Sequence, residues 1–319
     1  MTVSSARLWG VLSGLGAGAM WGLVFLAPKL VPEASPWLLA AGRYISYGLI
    51  AAMLIAPRWK RLVALLDAKT WWALVWLSLA GNVVYYLFLV VSVHFAGVAA
   101  SALIVGAVPV VVALWGLRDK DSPPVSHVGP PIAVAAVAIG LIGWESLTRG
   151  HLAADSSLAT VLIGLACALI ALVVWTAYAV GNSRWMVRLS HVSSHDWSLL
   201  IGVMTGALAL LLIIPASLTM GAMNSEVWTR FLAVSVGIAI LASVVGNALW
   251  NRASRLLPLT MLGQMIVFET LFAFLYGFIL EQRGPTAIEI VAMILMVISV
   301  IWCVRAHRPV AVVERDAEH

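Results

Sequence analysis

The sequence predicts an all-α integral membrane protein, with ten transmembrane helices arranged as two inverted five-helix repeats. Three observations carry that expectation. The 319 residues are 62% hydrophobic and only 10% charged, where a soluble domain carries about 25% charged residues. Mostly apolar windows of about 20 residues, the length that crosses a bilayer as a helix, occur ten times. The windows also fall five and five about a polar linker, ESLTRGHLAADSS, at residues 145–157.

The first window, 8–30, follows Arg7 and contains the small-residue run AGAM, two marks of a cleaved secretory leader. Its apolar core of about twenty residues exceeds the roughly 7 to 15 of a leader, so it counts as helix 1. Windows at 36–56, 70–93, 98–117 and 125–145 complete the first half. The second half holds 158–181, 196–216, 229–251, 256–280 and 285–304. This division makes residues 1–150 one repeat, 151–308 the other and 309–319 a cytoplasmic tail. Five is odd, so the second half enters the membrane in the opposite sense, and internal similarity then means an inverted repeat. GAGAMWGLVF in helix 1 and ALIALVVWTAYAV in helix 6 each set a tryptophan, Trp21 or Trp175, among small residues near mid-span. The fourth span, VAASALIVGAVPVVVALWG, aligns with the ninth, LTMLGQMIVFETLFAFLYG, when Val108-Pro109 is laid on Glu269-Thr270.

A net charge of +5 raises the question of a nucleic-acid partner. The basic residues instead follow topology: fourteen fall in segments on the N-terminal side of the membrane, four (Lys29, Arg149, Arg230 and Arg283) on the other side, and Arg43 lies within helix 2. The positive-inside bias puts both termini in the cytoplasm and leaves no charge that needs nucleic acid. Cys167 and Cys303 lie in apolar windows without motif spacing and read as packing residues, with no disulfide, metal or cofactor implied.

Transporters built from inverted repeats hold substrate near the bilayer midplane. Counting depth along each window, the residues there that are not plain aliphatics are Trp21, Asn82, Tyr85, Tyr86, Trp175, Tyr178, Gln264 and Glu269. Helical spacing sets Asn82, Tyr85 and Tyr86 on one side of helix 3, and Trp175, Tyr178 and Asn182 on one side of helix 6. Aromatic faces can bury a bulky apolar side chain while phenol, indole and amide groups supply hydrogen bonds. The bland alternative is helix packing or the interfacial aromatic belt. Ten tryptophans, Trp197 among them, sit near window ends and belong to that belt; Trp21 and Trp175 lie too deep for it.

Glu269 is costly to bury, by roughly 2.5 to 3.5 kcal/mol on insertion scales. It reads either as a proton-linked or substrate-amine contact or as a neutral staple between helices. Arg43 reads as snorkelling to headgroups or pairing with Glu33, and next as flanking an outward mouth. Asn182, Asn247 and Asn251 stand near the cytoplasmic ends of helices 6 and 8, where they line an inner vestibule or cap helix ends. His94 reads as an exposed turn residue.

Ten spans in two inverted fives, a tight turn before helices 4 and 9 (HFAGV, RLLPL), Pro109 in the fourth span and a glutamate in the ninth resemble the drug/metabolite transporter superfamily, EamA branch. VWTAYAVGN in helix 6 and ALWN closing helix 8 resemble its YddG-type exporters of aromatic and other neutral amino acids. The resemblance implies a bacterial inner-membrane carrier, monomeric, that moves neutral amino acids out of the cell by alternating access through a midplane cavity. Many members carry Glu-Pro in the ninth span; Thr270 stands in place of that proline here, which puts the shared helix break in question.

Other classes lack their parts. There is no His-Glu-x-x-His, no Gly-x-Gly-Asp and no Walker motif, so neither intramembrane hydrolysis nor ATP hydrolysis has its residues. No repeated filter or ring of like charge suggests a channel. An exporter of drugs or cationic compounds, using Glu269 among aromatics, and a non-transporting scaffold or receptor remain as alternatives.

Overall fold

The computed structural model describes residues 3–116, 125–152, 157–189, 192–256 and 259–306. Among these every regular element is helical. α1 (Val3–Gly22), a 3-10 turn (Leu23–Leu26) and α2 (Ala27–Leu30) form the first rod, whose apolar part, Leu8–Leu30, coincides with the first window. The tight turn precedes Pro28, which has no amide hydrogen to continue the ladder. α3 (Pro36–Ile55) begins at Ser35, whose Oγ accepts the Leu38 amide at 3.3 Å. A 3-10 turn at Ala56–Arg58 joins it to α4 (Trp59–Val63).

α5 (Ala68–Ser78) is capped by Asp67, which accepts from the Thr70 amide at 2.8 Å. Hydrogen bonds from the Thr70 hydroxyl and amide hold the Asp67 carboxyl below its ordinary range. A π-helix (Leu79–Val84) then leads into α6 (Tyr85–Val105). The apolar stretch Ala68–Val105 is 38 residues long, far more than the ~20 one crossing needs. It folds back at Gly97, whose φ of 86° and ψ of 169° lie in a region essentially closed to residues with a Cβ. Ser92 and Ser101 show the reversal: their hydroxyl oxygens are 2.6 Å apart, whereas nine residues of straight helix span about 13 Å.

Gly106 and Ala107 interrupt the next crossing before α7 (Val108–Gly116). Pro109, expected within a helix, therefore sits in the first turn of a new one, where a missing amide hydrogen costs nothing. α8 (Val125–Leu152) extends through half of the expected polar linker, since no proline breaks ESLTRGHL; residues 153–156 lie outside the described residues.

The second half comprises α9 (Leu158–Arg188), α10 (Ser194–Ala209), a 3-10 turn (Leu210–Leu212), α11 (Ile213–Thr219), α12 (Ser225–Ile238), a second π-helix (Ala239–Gly246), α13 (Asn247–Leu256), α14 (Leu259–Leu280) and α15 (Ala287–Ala306). Ser157, Ser193 and Asn224 each cap a helix by accepting the amide three residues on. α14 runs unbroken through Thr270, so the helix break that a proline would bring is absent. The expected tail, 309–319, lies outside the described residues.

Among the described residues seven helical stretches are long and apolar enough to cross a membrane, and Val267–Leu280 and Ala287–Trp302 are shorter apolar helices. Large apolar side chains such as Leu49, Met53, Val173, Leu211, Ile214 and Leu218 face outward, as a lipid-solvated surface requires. Inside, α3 packs on α10, α8 on α15, α1 on α13 and α14, and α9 on α6. α3 and α10 approach closely at Gly48 and Gly206: a Cβ on Gly48 would lie 2.5 Å from the Gly206 Cα, the small-residue contact that membrane helices use. Trp197, assigned to the interfacial belt, is instead fully buried and donates to Asn182 Oδ1 at 2.8 Å. Depth near a window end does not say which way a ring points.

Candidate functional site

The two π-helices organise the centre of the molecule. A π-turn adds a residue without adding rise, which rotates the following side chains and strains the backbone ladder. In the first, the Asn82 carbonyl accepts from the Tyr44 hydroxyl at 3.0 Å, and Asn82 Nδ2 donates to Thr205 Oγ1 at 3.2 Å. In the second, the Ala242 carbonyl accepts from Trp21 Nε1 at 3.1 Å. Each π-helix also carries a glycine covered by a ring: Gly81 lies under Tyr178, and Gly246 under Trp21.

From the first π-helix onward an aromatic wall continues across the molecule. Tyr85 and Trp175 have ring centroids 6.2 Å apart, and Trp175 and Tyr178 are 6.0 Å apart. Tyr86 is fully buried and meets Tyr44 edge-on at 5.6 Å. Trp21 faces Trp250 at 5.2 Å on the opposite side. Trp175 and Glu269 share a cleft with Phe25, Val105, Gly106 and Thr270, and the cleft holds about 290 Å³ of empty space. A second hollow of about 250 Å³ adjoins it across Gly106 and Thr270, lined by Val267, Met293, Met296 and Val300. Little of that space would admit more than about one water molecule, so the cleft is closed to a ligand in this conformation.

Arg43 is neither snorkelled nor paired with Glu33. Arg230 takes Glu33 in a 2.5 Å ion pair at the surface, while Arg43 is only 8% exposed. Its guanidinium lies 4.4 Å from the Tyr86 ring centroid and 4.9 Å from that of Tyr44. It is within Coulombic reach of Glu269 and of Tyr85. Depth counting missed this because depth carries no azimuth; the signal available was GRYISY, where Arg43 and Tyr47 share a helix face one turn apart. Phe25, Gly106 and Thr270 were likewise missed, being ordinary residues for an apolar span.

The remaining candidates divide. Trp21, Asn82, Tyr85, Tyr86, Trp175, Tyr178 and Glu269 converge on the interior, but Trp21 and Asn82 spend their polar groups on backbone and helix contacts. The side chain of Gln264 lies outside the described residues. Asn182 is engaged by Trp197, and Asn247 approaches the Tyr47 hydroxyl, which itself donates to the Ser198 carbonyl at 3.0 Å. Asn251 is half-buried in α13, and His94 is exposed, three residues before the Gly97 turn. Among the described residues no group of three His, Cys, Asp or Glu could hold a metal ion.

Comparison with known proteins agrees with this architecture. Residues 8–118 match the EamA-like transporter family. The chain is 32% identical over 308 residues to the inner membrane protein YtfF of Escherichia coli strain K12, covering 93% of this chain and 95% of that one. A crystal structure superposes with a TM-score of 0.61 over 94% of this chain and 99% of its own, at 18% identity, and so speaks to the fold alone. With a lipid-facing surface, a closed helical interior and a relative aligned over almost its full length, the chain belongs to the EamA-like transporter family and is a multi-pass membrane transporter.

Proposed function

We propose that this transporter exports small neutral metabolites, foremost aromatic and other neutral amino acids, by alternating access through the central cleft. The observation that carries the reading is the wall of Tyr85, Trp175 and Tyr178 beside a cleft that also holds Glu269. Such a wall offers a bulky side chain apolar area and offset ring contacts. The cleft is too narrow to admit an indole ring without movement, in keeping with a carrier that must open to load.

The same reading takes residues 1–150 and 151–308 as two inverted repeats of five crossings each. Reciprocal packing supports it: α1 lies against the second π-helix, α13 and α14, while α9 lies against the first π-helix and α6. Two π-helices, each with a ring-covered glycine, support it further. Both termini lie in the cytoplasm on this view, from the distribution of Lys and Arg, in the inner membrane as in the relative from Escherichia coli. The rival cargo is a drug or organic cation held by Glu269. Arg43 argues against it, since a cation near Glu269 meets the field of a second, buried positive charge.

Proteoliposomes loaded with labelled phenylalanine test the proposal. Trp175→Ala lowers phenylalanine flux by roughly tenfold or more if the ring is a cargo contact; flux equal to the parent refutes the assignment. Glu269→Gln separates the rivals. Loss of organic-cation efflux with amino-acid efflux retained favours the cation reading.

A further inference from the structure

The buried guanidinium of Arg43 has no counter-ion in contact. Among the described residues its Nε and Nη1 are buried without a hydrogen-bond partner, and no carboxylate stands within 4 Å of it. Glu33, the nearest acid in the loop before α3, is committed to Arg230. What holds Arg43 is aromatic: the faces of Tyr86 and Tyr44, with the Tyr86 hydroxyl also in reach. Ring faces offset part of the desolvation of a cation, but they leave N–H donors unsatisfied, and a buried charge without a partner is among the costliest features a fold can keep. Cations kept in that condition within a membrane mark substrate pathways.

Glu269 is the opposite charge. It lines the cleft beside Trp175 and lies within Coulombic reach of Arg43 without closing an ion pair. Tyr85 links the two regions: it adjoins Tyr86, the ring under Arg43, in α6, and its own ring meets Trp175 of the cleft. A cation and a carboxylate held apart, with aromatic surface between, match a molecule that carries both charges on one carbon and a bulky apolar side chain.

We infer that Arg43 and Glu269 are the two poles of one binding site for α-amino-acid zwitterions, with an unpartnered N–H of Arg43, at Nε or Nη1, donating to the substrate carboxylate and Glu269 facing its ammonium group. The inference rests on the amino-acid reading above and goes further in assigning the carboxylate contact. Binding of a zwitterion neutralises both poles at once, and a charge-assisted N–H···O bond to a carboxylate satisfies a buried guanidinium donor as a ring face does not. An amine without a carboxylate leaves Arg43 unpaired, and an acid without an amine leaves Glu269 unpaired. Both are disfavoured by charge rather than by shape.

Equilibrium binding to the purified full chain in detergent, read by quenching of tryptophan fluorescence, tests this with phenylalanine, phenethylamine and 3-phenylpropionate. The parent should bind phenylalanine at least about tenfold more tightly than either single-charge analogue. Arg43→Gln should lose that preference over phenethylamine. Arg43→Lys, which keeps the charge but not the planar set of N–H donors, guards against misfolding and should weaken phenylalanine binding by roughly tenfold. Arg230→Gln, at the surface pair, should change nothing. Equal affinity of the parent for phenylalanine and phenethylamine, or phenylalanine binding untouched in both Arg43 variants, overturns the carboxylate contact while leaving the amino-acid reading in place. Failure of the parent to bind any carboxylated amino acid overturns both.

Discussion

The two π-helices do the same mechanical task with different chemistry. LAGNVV (Leu79–Val84) contributes Asn82, is tied to α10 through Thr205, and opens onto Tyr85, Tyr86 and the buried Arg43. AILASVVG (Ala239–Gly246) is apolar, turns Ile240, Leu241 and Val245 outward, and meets the interior through Trp21. One widened turn therefore borders the polar centre while its counterpart borders lipid. The difference teaches that the same backbone device need not bring the same surroundings: the buried polar and aromatic side chains of the centre concentrate on α3, α6 and α9, and the opposite side adds Glu269.

The largest test of that contrast is steric. A Cβ on Gly81 would stand 2.3 Å from Tyr178 Cδ2, and one on Gly246 would stand 2.8 Å from Trp21 Nε1. Overpacking a closed interior costs about 1 to 3 kcal/mol. Gly81→Ala should sit at the upper end with transport lost; Gly246→Ala should cost less, because its clash, at 2.8 Å, is milder than the 2.3 Å at Gly81. Melting temperatures in detergent rank the two, and the reverse order breaks the comparison. Tyr44→Phe comes next. It removes one of the two donors to the Asn82 carbonyl, which keeps the Tyr85 amide, and should cost about 0.5 to 1.5 kcal/mol as one lost hydrogen bond, measured in the same melts. Smallest is Arg230→Gln, which breaks the exposed pair with Glu33. Its melting temperature should match the parent within error at physiological salt, because exposed pairs are screened.

Much of the fold was legible from hydropathy, because a lipid-embedded helix must be apolar along its whole length. The window at 8–30 coincides with Leu8–Leu30, and the gap between 93 and 98 brackets the turn at Gly97. The π-helices were not legible: an extra residue in one turn alters neither composition nor length. Site residues were half legible. Depth picked out Tyr85, Trp175 and Glu269, which do converge, yet it misjudged Arg43 and Trp197, whose burial depends on rotation about the helix axis. Rotation is set by neighbours such as Gly48 and Gly206, and the pairing of those neighbours is not written in either helix alone.

Gly97 has a mechanical consequence. A connection of one residue, clasped by Ser92 and Ser101, with Ser101 also donating to the Gly97 carbonyl at 2.8 Å, contains no slack. A displacement of the rod before it must be passed to the rod after it, as in a pair of rigid arms riveted at the elbow. Whatever swings α5 and the first π-helix will drag the wall of the cleft at Ala102, Val105 and Gly106 along with it.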